Sequence, residues 1–164
     1  MSRVIFQLLD ILRFRGGPQD LPSAWSLAIL LGLAYLGQGY VADHLLEDTE
    51  AAPRSIVAVV IQFLATALLL QVRRQGTRFA QTVTALSGTG LFFGAVSILI
   101  VTRAEPGTFH PALALFWFGA FVWSLAVDAH IYRHALSVTM SLGALVAVLI
   151  FGLNFFIIEM LFPV

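Results

Sequence analysis

Cysteine is absent from the chain. That excludes disulfides, thiolate metal sites and cysteine nucleophiles. Lysine is absent too: all nine basic residues are arginine, a bias we read as the mark of a GC-rich bacterial genome. Charge of either sign is scarce, at 11% of residues against about a quarter in an average soluble domain. The formal net charge is zero, so no basic face points to nucleic acid. Common catalytic patterns are missing: there is no G-x-S-x-G, no H-E-x-x-H and no Walker loop. The glycines of "LSGTGLFFG" follow no strand pattern, so they lack the context of a nucleotide fingerprint. Short connections between the apolar runs leave no space for a soluble catalytic domain. The expectation is a protein without enzymatic activity or cofactor of its own.

Apolar residues are abundant, at 59% with a mean hydropathy of +0.92. They gather in five runs, near Ser23–Val41, Arg54–Val72, Phe79–Val101, Pro111–Tyr132 and Ser137–Phe162. Each approaches the ~20 residues that cross ~30 Å of hydrocarbon. Transmembrane strands alternate apolar and polar residues, and these runs do not. The fold class expected is therefore all-α: a polytopic bundle of five transmembrane helices. Turn formers punctuate it, with Gly16-Gly17-Pro18, Pro53, Gly76, Pro106-Gly107 and Pro111 ahead of successive spans. Asp20 or Ser23 is placed to N-cap the first span.

Residues 3–15 read differently. At 100° per residue, Val4, Ile5, Leu8, Leu9, Ile11 and Leu12 cover an arc of about 160°. Arg3, Gln7, Asp10 and Arg13 lie opposite. This pattern predicts an N-terminal amphipathic helix in the membrane interface, so residues 1–22 divide from a transmembrane domain at 23–164. The leading stretch lacks a small-x-small cleavage site, so it reads as a retained segment, not a signal peptide. A cytoplasmic N-terminus puts Arg3, Arg13, Arg15, Arg73, Arg74, Arg78 and Arg133 inside and only Arg54 and Arg103 outside. The positive-inside rule then predicts N-in, C-out in a bacterial inner membrane.

Polar groups within the spans are few. Thr84, Ser87, Gly90, Gly94 and Ser97 form one stripe on the third span. Small residues there let a neighbouring helix approach closely; the functional alternative is a pore or substrate groove. The fourth span ends in "DAHIYRHAL", where His130 and His134 stand one turn apart. Two histidines make half a metal site. Asp128, His130, Arg133 and His134 are instead expected to form an inner-interface latch, with Asp128 paired to Arg73, Arg74 or Arg78. Glu159 lies near the outer edge with Arg103 as a plausible partner, and a proton path between Glu159 and Asp128 is disfavoured because no ionisable residue is seen between them.

The amphipathic "RVIFQLLDILRF", the link "GGPQDLP" and the five close-set apolar runs resemble the Yip1-domain family in layout. That resemblance implies an integral membrane adaptor with no enzymatic activity. The expected function is an accessory protein that binds lipids and other integral membrane proteins, as a homo- or hetero-oligomer. A small transporter or channel component using the third-span stripe is the alternative, and a haem- or metal-binding redox subunit using His130 and His134 is a second.

Overall fold

A computed structural model describes residues 2–46, 51–103 and 110–163. Six helices follow one another: α1 (Ser2–Leu12), α2 (Trp25–Leu46), α3 (Ala51–Val72), α4 (Phe79–Val101), α5 (Pro111–Leu136) and α6 (Met140–Leu161). No strand occurs among the described residues. Helices α2 to α6 are all long and apolar enough to cross a membrane. The expected Pro106-Gly107 turn falls outside the described residues.

The bundle is apolar on the outside. Leu115 and Phe116 on α5 are 72% and 70% exposed, and Val72 on α3 is 80% exposed. In water such a surface would aggregate; in lipid it is the solvated face. Inside, α4 is the hub, packed against α1, α2, α3 and α5. Its buried face carries Thr82, Thr84, Ser87 and Thr89. The three threonines return their hydroxyl protons to carbonyls of α4 or its N-cap, Arg78, Ala80 and Ala85, at 2.8–2.9 Å. Back-bonding of this kind hides the polar atoms from the apolar interior.

The stripe on α4 is a packing seam against α2. An added Cβ on Gly90 would lie 2.8 Å from the Tyr35 ring, and one on Gly94 would overlap the Gln38 amide. Gln38 Nε2 also donates to Leu91 O at 3.0 Å, tying the two helices through a backbone acceptor. Ser87 adjoins Gly32 on the same seam. Glycine lets the backbones close to a distance that any side chain would prevent.

Short connections order the remaining helices. Helix α5 ends at Ser137, whose φ of 53° is left-handed, the usual stop at this position. Thr139 then N-caps α6, its side chain accepting from Leu142 N at 3.4 Å. Gly143 presses this start of α6 onto α5, against Ala129 O and Arg133 N. The fourth span thus runs on past Tyr132 to Leu136 as unbroken helix, so residues 128–134 lie within it and not at a frayed edge.

Candidate functional site

Five side chains of α5, at spacings of four, three, four and four, share one face: Trp117, Phe121, Ser124, Asp128 and Tyr132. All face cavities. One of about 250 Å³ is bounded by α2, α3, α4 and α5, with Gly90, Gly94, Ser97 and Trp117 in its wall. A larger cleft of about 440 Å³ is bounded by α2, α3, α5 and α6. Tyr35, Gln62, Phe121, Ser124 and Asp128 line both. Tyr35 and Gln62 stand at the middle of α2 and α3, each 22 residues long. Asp128 therefore meets the two cavities deep in the bundle, eight residues from the end of α5, or about 12 Å of helix rise.

Tyr132, Ser124 and Trp117 on the same face are satisfied from elsewhere. The Tyr132 and Thr66 hydroxyls bond at 3.1 Å, and Thr66 Oγ1 also donates to Gln62 O at 2.7 Å. Ser124 Oγ donates to Phe121 O at 2.8 Å. Trp117 Nε1 donates to Ser97 Oγ at 3.1 Å. Asp128 itself has no hydrogen-bond or ion-pair partner among the described residues. The larger cleft extends from Asp128 and Tyr132 to Arg54, Glu159 and Phe162 at the opposite end. Its α6 wall, from Ala147 to Phe162, corresponds to roughly 22 Å of helix.

The expected latch is split by this geometry. On a helix Asp128 and His130 lie about 200° apart. Asp128 faces the cavities, while His130 and His134 face the N-terminal segment and Arg133 is exposed. The expected ion pair between Asp128 and Arg73, Arg74 or Arg78 does not form. Arg78 holds the end of α5 in another way, donating to His134 O at 3.0 Å, Ala135 O at 3.3 Å and Ser137 Oγ at 2.8 Å. The last carbonyls of a helix lack the usual i+4 donor, and Ser137 N reaches only His134 O, at 3.4 Å, so a cationic donor is well suited to them. Glu159 shares its cleft with Arg54, not with Arg103. Of the stripe, Thr84 and Ser87 are buried in the α4 packing face, while Gly90, Gly94 and Ser97 also reach the cavities.

The histidines serve residues 2–21. His130 Nε2 donates to Gly16 O at 2.8 Å, and Gln19 Nε2 donates to His134 Nδ1 at 3.4 Å. Trp123 Nε1 donates to Leu12 O at 3.1 Å, and Gln81 Nε2 to Leu21 O at 2.6 Å. Asp20 caps backward, onto Gly17 N at 2.7 Å, and does not cap α2. Helix α1 lies against α4 and α5, with Ile11 and Leu12 buried and Leu8 over Gly88. Gly88 is nine residues into α4, about 13 Å from its start. Ile5 and Phe6, at 58% and 66% exposed, face away from the bundle. Among the described residues no three His, Asp or Glu side chains gather as a metal site.

Neither the protein-family models, nor the curated proteins, nor the solved structures give a match to this chain.

Proposed function

We propose that the chain is a small intramembrane binding or transport component whose working site is the cleft at Asp128. One observation carries this reading: a carboxylate without a partner, deep in a five-helix bundle, where two cavities meet. An Asp within a span costs up to about 2.5–3.5 kcal/mol on the insertion scale, the figure for the bilayer centre. Structural acids in membranes recover that cost by pairing. This one recovers nothing from the described residues, so its use is for a ligand. A pure adaptor would act through its surface and leave Asp128 without a role. The small-residue stripe serves mainly to bring α2 and α4 together, so the working groove is placed one helix further on.

The arginine asymmetry supports N-in, C-out in a bacterial inner membrane. The Arg54–Glu159 end of the cleft then faces outward. Helix α1, with Ile5 and Phe6 turned outward, suits the inner headgroup boundary, and five spans keep the Yip1-like layout as a proposal about lineage. Native mass spectrometry after mild detergent extraction tests the reading. Wild type is expected to carry a small molecule that Ala58→Phe, which fills the cleft wall, does not. A co-purifying protein subunit with no small molecule would sink it in favour of the adaptor.

A further inference from the structure

Resting on that reading, the geometry points to a lipophilic amine, bound in its protonated, monovalent form, as the ligand class of the cleft at Asp128.

Charge gives the sign. Among the described residues, the groups lining the cleft that carry charge at neutral pH are Asp128, Glu159 and Arg54. Two carboxylates against one guanidinium leave a formal excess of one negative charge. An anionic ligand would add to that excess, and a neutral acceptor would leave the carboxylate unpaired.

Hydrogen-bonding capacity gives the donor. Asn154 lies in the same wall, and its amide nitrogen already donates to Ile150 O at 3.2 Å. Its buried Oδ1 has no partner. The unused capacity on α5 and on α6 is thus for accepting, and an ammonium supplies donors and positive charge together.

The walls give the rest. Phe121 and Phe151, with ring centres 5.1 Å apart, stand between Asp128 and the outer part of the cleft, with Phe155 beyond them. Tyr35 and Tyr132 flank the acid. Aromatic faces attract a cation and cover apolar substituents equally well. A bare divalent ion would want six or more oxygens, and no cluster of three ionisable ligands is present among the described residues. A cleft of about 440 Å³ falls within the ~300–1,000 Å³ typical of small-molecule sites.

The test uses the full chain in nanodiscs of zwitterionic lipid, titrated calorimetrically with 1-aminoadamantane and with its neutral counterpart 1-adamantanol, empty discs being subtracted. The amine is expected to bind saturably, with the alcohol weaker by at least about tenfold. Asp128→Asn is expected to abolish that preference, and Ala58→Phe to abolish binding. Should Asp128→Asn fail to fold, the amine–alcohol comparison in wild type and Ala58→Phe decides alone. Equal binding of both compounds, lost in Ala58→Phe, overturns the amine class and leaves the cleft as a binding site. Amine binding retained in Asp128→Asn overturns the assignment. Absence of saturable binding by either compound overturns it as well, and the co-purification experiment then judges the cleft separately.

Discussion

Replacing Gly143 by alanine adds one methyl group where α6 crosses α5. That methyl would overlap Ala129 O and sit 3.0 Å from Arg133 N and 3.1 Å from Arg133 Cβ. Two of these three neighbours are backbone atoms of a helix, so no side-chain rotation relieves them. Comfortable contact begins near 3.5 Å, so the helices must part by something on the order of 1 Å. Gly143 and Ala147 are both buried in this seam, and opening it forfeits contacts along several turns. Overpacking of this kind costs about 1–3 kcal/mol, and the rigid neighbours argue for the upper end. At about 2–4 °C per kcal/mol for a chain of this length, the melting midpoint in mild detergent should fall by roughly 6–12 °C. Gly119→Ala and Gly152→Ala supply the control, since an added Cβ at either meets nothing within 4 Å. There the better helix propensity of alanine should leave the midpoint unchanged or raise it, by up to about 1 kcal/mol. A Gly143→Ala protein that melts with or above Gly119→Ala would refute the α5–α6 contact described here.

Asp128→Asn should leave the midpoint equal or higher, because it removes a charge that no described side chain compensates; an ion pair with an inner arginine would require the reverse, and a fall of several degrees would reveal a structural partner. His130→Ala frees the Gly16 carbonyl. Tryptic cleavage at Arg13 and Arg15 should then accelerate by roughly two- to tenfold, the worth of one hydrogen bond, and an unchanged rate would show that the bond holds nothing. Arg78→Ala should lower the midpoint by the equivalent of about 1.5–3 kcal/mol, with Arg78→Lys restoring much of it, since all three bonds leave the single nitrogen Nη1 and an ammonium also offers three donors; no rescue by lysine would make the planar guanidinium, not charge and reach, the cause.

Run length and turn residues made the five spans legible, because hydrocarbon thickness imposes both. Helix ends were less so. Pro53 reads as a boundary in sequence, yet α3 begins at Ala51 and carries it in the first turn, where its missing N–H costs nothing. The stripe was readable as packing, since spacing alone puts Thr84, Ser87, Gly90, Gly94 and Ser97 on one face. The cleft was not. Counting depth along one helix placed Asp128 near an aqueous edge and saw no ionisable residue between it and Glu159. Depth along one chain segment says nothing about which helix stands opposite, and Arg54 reaches the same cleft from α3. One signal was available: on α5, Asp128 keeps the helical register of Ser124, Phe121 and Trp117, whereas His130 and His134 keep that of the opposite face. Grouping the four polar residues by proximity in sequence hid that division.

Beyond its buried Ile11, Leu12, Pro18 and Leu21, the N-terminal strap is held by hydrogen bonds made mostly to its main chain. Trp123 holds Leu12 O, His130 holds Gly16 O and Gln81 holds Leu21 O, while Gln7 of the strap itself closes onto Asp20 O. Carbonyl oxygens are the same in every residue, so between the buried positions Leu12, Gly17, Pro18 and Leu21 what the bundle reads is contour length, not lettering. Arg13 and Arg15, exposed to the outside, are free to drift under mutation with little penalty. A single deletion in the same stretch would move every downstream carbonyl by up to about 3.8 Å, off its donor. Divergent versions of this chain should therefore conserve the spacing of the strap more strictly than its spelling.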